Sequence, residues 1–158
     1  MSAFSILFVC SGNTCRSPMA EAIARALIDR RGLDIDVGSA GTTAWDGAPA
    51  SDGALLVGLE HQLDLSGHRS RLLTATLVRR FELVLCMGAS HVERAMELGA
   101  GVRVHLLTAY ASRGESVSEI SDPFGGDLTA YRATLDEIER QVARVLDRAT
   151  AERSPGRP

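Results

Sequence analysis

The sequence lacks the marks of several large protein classes. Its basic residues, all arginine, are spread along the chain rather than clustered, and the formal net charge is −3, which argues against a nucleic-acid footprint. No apolar run approaches the roughly 20 residues of a membrane span. The N-terminal run Phe4–Cys10 has neither a basic leader nor a small-residue cleavage site, so no signal peptide is expected and cytoplasmic residence is the default. Cysteines number three, an odd count that builds no secreted disulfide framework and fits reduced thiols. Neither GxxxxGK[ST] nor GxGxxG occurs, so nucleoside triphosphate and dinucleotide binding have little support. There is no internal repeat and no low-complexity linker. What remains is an ordinary globule: 158 residues, 45% apolar and 23% charged, enough for one domain that buries about 70% of its unfolded surface.

Ser5–Cys10, SILFVC, is a continuous apolar run of the kind found in a strand covered on both faces. After a loop over Ser11–Arg16, Ser17-Pro18 reads as a helix start, with Ser as the cap and Pro at the first helical position. Met19, Ile23 and Leu27, with Ala22 and Ala26, make one apolar face, and Gly32 closes the helix behind Arg30 and Arg31. Leu33–Gly41 alternates and predicts a second strand ending near Ser39. Thr42–Ala50 is loop, with Trp45 in its middle. Helices are expected over Ser51–Gln62, Thr74–Phe81 and Ser90–Leu98. Strands are expected over Phe81–Met87 and Val102–Leu107, followed by a loop from Ala109 to Gly126. A final helix from Leu128 to Ala149 carries a buried stripe of Leu135, Ile138, Val142 and Val145. Arg140, Arg144 and Arg148 form a solvated row on it, and residues 150–158 read as a disordered tail.

Alternating strands and helices predict a single α/β domain over residues 1–149: a doubly wound, mostly parallel four-stranded sheet with helices on both faces. Ligands in such sheets bind beyond the carboxyl ends of the strands, where loops enter helices. The stretch FVCSGNTCRSPMAE, Phe8–Glu21, is such a loop. A compact loop running into a helix N-terminus aims backbone N–H groups at one point, which suits a phosphate-sized anion. Gly12 and Asn13 tolerate the left-handed backbone values this requires. Arg16 adds a planar fork for two phosphoryl oxygens. The same positive field raises the thiolate fraction of Cys10, which makes it an in-line nucleophile beneath a bound phosphoryl group. Ser17 can donate a hydrogen bond to that thiolate. Zinc would need further ligands beside Cys10 and Cys15, and no His lies nearby in the sequence. No metal and no cofactor are assigned.

VCSGNTCRSP resembles the V-C-x-G-N-x-C-R-S-P motif of the low-molecular-weight protein tyrosine phosphatases. SAGT (Ser39–Thr42), Trp45, HRSR (His68–Arg71), LVLCM (Leu83–Met87) and SDPFGG with Asp122-Pro123 follow in that family's order, up to about Ala149. The resemblance implies Cys10 as nucleophile, Arg16 as phosphate clamp and Asp122 as proton donor. It implies a substrate site formed by Ser11, Gly12, Asn13, Thr14, Cys15 and Ser17, with Trp45 and Phe124 at the cleft. It also implies that Asn13 holds the loop's shape, that His68 anchors the loop, and that Cys10 and Cys15 can pair in a reversible disulfide. Read without it, Asp122 before Pro123 is a turn former.

The implied activity is metal-independent hydrolysis of phosphotyrosine or phosphoarginine on protein substrates, by a monomer, through a phosphocysteine. Thr14, where many phosphotyrosine enzymes of the family carry isoleucine, and Pro123-Phe124-Gly125-Gly126 resemble the bacterial protein-arginine phosphatases. Three other chemistries fit less well. Arsenate reduction needs a thiol relay, and Cys86 lies in an apolar strand pattern. A phosphocysteine carrier gains nothing from Arg16 and Asp122, and a phospho-binding module would not need Cys10. His61, His91 and His105 receive no role.

Overall fold

The computed structural model describes residues 4–153. Its sheet has the order β2-β1-β3-β4, with β1 at Phe4–Cys10, β2 at Ile35–Gly41, β3 at Leu83–Cys86 and β4 at Val104–Leu106. Every pairing is parallel. β1 lies against β2 along its whole length and against β3 from Ile6 to Val9. The helices are α1 (Arg16–Arg31), α2 (Asp52–Glu60), α3 (Ala75–Arg80), α4 (Ala89–Glu97), α5 (Leu107–Ala111) and α6 (Leu128–Glu152).

Strand side chains alternate between two cores. Ile6, Phe8, Leu83 and Leu85 pack with Met19 and Ile23 of α1 and with Leu135, Ile138 and Val142 of α6. Leu7, Val9, Val84 and Cys86 face the other way, onto Leu77 and Val78 of α3 and Ala95 of α4. Each of these large apolar side chains contributes about 1.5–3 kcal/mol when fully buried. Both faces are therefore covered, which is why β1 and β3 read as unbroken apolar runs. The chain leaves β1 toward β2 on one side and returns to β3 on the other. The crevice at the carboxyl ends of β1 and β3 is thus the switch point where such sheets bind ligands.

Several boundaries differ from the sequence pattern for identifiable reasons. Helix α1 begins at Arg16 and Cys15 precedes it without a side-chain cap, so Ser17 is not the cap. Its hydroxyl turns inward to the Cys10 sulfur instead. Pro18 remains tolerable because the first turn's N–H groups have no helical partner. Ser51 and Thr74 do cap α2 and α3, accepting from the Ala54 and Leu77 amides, and Gly32 closes α1 at φ 65°. Strand β2 extends to Gly41. β4 is shorter than expected, because Gly101–Arg103 forms a 3₁₀ turn and an edge strand needs only the three residues that pair with β3. The segment expected to be all loop from Ala109 starts inside helix α5. Helix α6 runs on to Glu152, so residues 150–152 are helical; 154–158 of the expected tail lie outside the described residues. Arg148 leaves the solvated row: it donates to the Tyr110 carbonyl at 3.0 Å and its guanidinium stacks 4.0 Å from that ring. Among the described residues no helix is long and apolar enough to cross a membrane.

Candidate active site

Four carbonyls of the loop after β1 are bonded outward. Cys10 O accepts from Thr42 N at 3.0 Å, Ser11 O from Thr43 N at 3.0 Å, and Thr14 O from Ser51 N at 2.9 Å. Asn13 O accepts from His68 Nε2 at 2.7 Å, which is the anchor expected of His68. A trans peptide carries its N–H opposite its C=O. Holding these carbonyls away therefore turns the N–H groups of Ser11, Gly12, Thr14 and Cys15 toward the loop's centre, where α1 also begins. Such convergence is an anion cradle.

Asn13 shapes it. Its φ is +56°, a value asparagine tolerates better than most residues, and it is fully buried. Nδ2 donates to Ser17 Oγ at 2.7 Å and Ser39 Oγ at 2.9 Å, while Oδ1 accepts from Arg71 N at 2.9 Å. Ser39 Oγ in turn donates to Glu21 Oε1 at 2.6 Å. These bonds fix proton directions. Ser17 Oγ accepts from Asn13, so its own proton is free for Cys10 Sγ, 2.9 Å away. A hydroxyl so placed can donate a hydrogen bond to the sulfur.

Cys10, Gly12, Thr14, Cys15 and Arg16 line a cleft of about 230 Å³. Arg16 is buried; Nη1 donates to Ile120 O at 3.0 Å and Nη2 lies 3.5 Å from Asp122 Oδ2. Asp122 is half-exposed at 51% and serves two ends: Oδ1 accepts from Phe124 N at 3.0 Å, closing the turn, while Oδ2 faces Arg16 across the cleft. Trp45 and Phe124 stand at its mouth, 86% and 70% exposed. Trp45's carbonyl is held by the Ser70 hydroxyl, so a fixed backbone carries a free indole. The side chains of Ser11, Asn13 and Ser17 do not line the cleft and hold the loop from behind.

A larger hollow, about 380 Å³, lies between α1 and residues 62–68. It contains no thiol, and its Arg25 is already paired with Glu21 at 2.7 Å. Among the described residues, His61, Asp136 and Glu139 are the grouping with metal-ligand types within reach. The imidazole there lies between two acids, with Nδ1 3.3 Å from Glu139 and Nε2 3.9 Å from Asp136. None of the three lines the cleft.

The profile of the low molecular weight phosphotyrosine protein phosphatases matches residues 5–154. The chain belongs to this family. It is 38% identical over 144 residues to the protein-arginine-phosphatase of Bacillus subtilis (strain 168), covering 89% of this chain and 95% of that one. It is 34% identical over 148 residues to the low molecular weight protein-tyrosine-phosphatase Wzb of Escherichia coli (strain K12), covering 94% and 97%. A cysteine-to-serine mutant of a YwlE arginine phosphatase, with its active-site serine phosphorylated, superposes with a TM-score of 0.88 at 35% identity, over 96% of this chain and 98% of that one.

Several groups reach this family member's loop with no motif to announce them. Tyr131 on α6 belongs to no motif, yet its hydroxyl sits 3.4 Å from Cys15 Sγ and 3.2 Å from Ser51 Oγ. A buried tyrosine hydroxyl needs such a partner, and burial followed by its bond with Cys15 pushes its acidity down. No motif marks His91 either, yet its Nε2 lies 2.8 Å from Ser11 Oγ. Burial first, then the Arg16 charge, lowers its pKa to about 4. The signal available was position, the first turn of a helix entered from the carboxyl end of β3. Cys86 matches its expectation: it is fully buried, and burial followed by the Cys10 sulfur pushes its thiol up.

Proposed function

We propose that this chain is a protein phosphatase that hydrolyses phosphorylated protein side chains through a phosphocysteine on Cys10. The observation that carries this is the Cys10 sulfur in the cleft, 2.9 Å from a hydroxyl whose proton is free for it, with Arg16 and Asp122 lining the same cleft. In the first step the thiolate attacks phosphorus. The S–P bond forms, the bond from phosphorus to the leaving oxygen or nitrogen breaks, and the Asp122 carboxyl gives its proton to the leaving atom. Arg16 exchanges Asp122 for the phosphoryl oxygens, which frees that carboxyl for the leaving atom. In the second step water attacks phosphorus and its proton passes to the Asp122 carboxylate. The S–P bond breaks, releasing phosphate and regenerating the thiolate. Loop amides and Arg16 supply the positive field that phosphoryl transfer needs, so the reaction calls for no metal.

Of the relatives compared above, one is named a protein-arginine-phosphatase and another a protein-tyrosine-phosphatase. The Thr14 side chain on the cleft wall favours phosphoarginine, since its hydroxyl can bond a polar guanidino group where isoleucine offers only bulk. The test compares phosphoarginine and phosphotyrosine peptides on wild type and Thr14→Ile. The substitution is expected to move the kcat/KM ratio toward phosphotyrosine by about tenfold or more; an unchanged ratio removes Thr14 from specificity. Turnover of p-nitrophenyl phosphate separates the other chemistries. A stable, transferable phosphoprotein would mark a carrier, and activity independent of Cys10 would remove the cysteine mechanism.

A further inference from the structure

His91 takes no part in the two steps above, yet it is a buried imidazole, 3% exposed, bonded to the residue that follows the nucleophile. We infer that His91 is a positioning residue: through Ser11 it ties the nucleophile's loop to the first turn of α4, the turn that also holds the segment carrying Asp122.

Ser11 is gripped from two sides. Its carbonyl accepts from Thr43 N at 3.0 Å and its hydroxyl meets His91 Nε2 at 2.8 Å. Fixing both sets the plane of the Ser11–Gly12 peptide, and with it the direction of the Gly12 N–H. His68 grips Asn13 O from another segment, so two imidazoles hold two residues of one loop. The α4 turn is a common post. Ala89 N donates to Glu119 Oε2 at 2.7 Å, Ile120 N donates to Met87 O at 2.8 Å, and Arg16 Nη1 reaches Ile120 O at 3.0 Å. Asp122 follows two residues later. A displacement of Ser11 relative to α4 is therefore also a displacement of the thiolate relative to its proton donor.

The imidazole's own bonds say which proton it carries. Nδ1 is buried with no partner among the described residues. A buried N–H without an acceptor is rarer than an under-used lone pair, so the favoured tautomer places the proton on Nε2 and donates it to Ser11 Oγ. The ring stays neutral for reasons visible around it. Burial and Arg16 from α1 oppose a charge, and Glu119 and Asp122 from the segment after α5 favour one without prevailing. The tie therefore persists through neutral and mildly acidic pH.

This inference rests on the phosphatase reading, which loss of turnover in Cys10→Ser tests separately. Its own experiment measures kcat and KM on p-nitrophenyl and phenyl phosphate, and inorganic phosphate binding by calorimetry, for H91L, H91Q, S11A and the H91L/S11A double variant. The leucine fills the core without a donor, the glutamine returns an N–H, and S11A removes the same bond without touching the core. H91L and S11A are each expected to lose about five- to tenfold in kcat/KM, as expected for one neutral hydrogen bond. The double variant should lose no more than either single one. H91Q should recover to within about twofold, phosphate binding should weaken in step, and phenyl phosphate should suffer more than p-nitrophenyl phosphate. Wild-type behaviour in S11A, or losses that multiply in the double variant, would overturn the inference and leave His91 as packing alone.

Discussion

Replacing Ser17 with alanine removes two bonds at once, and their separate consequences can be worked out. Ser17 Oγ accepts from Asn13 Nδ2 at 2.7 Å and lies 2.9 Å from Cys10 Sγ. The first loss leaves a buried amide hydrogen of Asn13 without its acceptor. That costs about 1–3 kcal/mol, which lowers the melting temperature of a chain this size by roughly 2–12 °C. The second loss removes a hydrogen bond to an ionised sulfur, a contact worth about 1.5–3 kcal/mol, so kcat should fall by roughly 10- to 100-fold. The step most affected is the one that expels the thiolate from phosphorus, because sulfur regains its charge there. The phosphocysteine should therefore accumulate. Stopped-flow mixing with p-nitrophenyl phosphate, well below the lowered melting temperature, should show a burst of p-nitrophenol larger than in wild type, followed by a slow steady state. A kcat within twofold of wild type, with no added burst, would refute the proton direction assigned to Ser17 and the charge assigned to Cys10.

Two further outcomes follow from the same geometry. Asp122→Asn should lower kcat on phenyl phosphate by about 10²–10⁴-fold and on p-nitrophenyl phosphate by much less, since a good leaving group needs no proton; equal losses on both would deny Asp122 its donor role. His91 is held below its ordinary value of 6.5, at about 4, by burial and then by Arg16. Between those values the unfolded chain takes up a proton that the folded chain refuses, so its contribution to stability is whole above pH 6.5 and is lost as pH falls toward 4. Urea midpoints from pH 7 to 4 should therefore fall more steeply in wild type than in H91Q; parallel curves would contradict the burial of a neutral ring.

The cradle was readable because its demands are local. Asn13 needs a tolerant backbone, Arg16 needs a fork, and Cys10 must end a buried strand, so the residue types at that spacing announce the chemistry. Strand β1 was readable for a similar reason, since both of its faces meet helices. What escaped was set by distant segments. Ser17 looked like a cap because the sequence shows Ser before Pro but hides the sulfur it turns toward. Helix α5 is five residues long, too short for a periodic signal, and Val102 was drawn into β4 by its apolar side chain although it is exposed in the preceding turn. His91 and Tyr131 reach the loop across 80 and 116 residues of chain. Asp122 closes the turn that its place before Pro123 suggested, through Oδ1, and meets Arg16 through Oδ2, a pairing the sequence does not show.

In the proposed reaction the sulfur of Cys10 receives the phosphoryl group. Rapid acid quench of the wild-type protein during turnover of p-nitrophenyl phosphate, followed by peptide mass spectrometry, reads this out. A phosphate is expected on the peptide containing Cys10, at that residue, with no turnover by Cys10→Ser. Phosphate on another side chain, or undiminished turnover by Cys10→Ser, would contradict it.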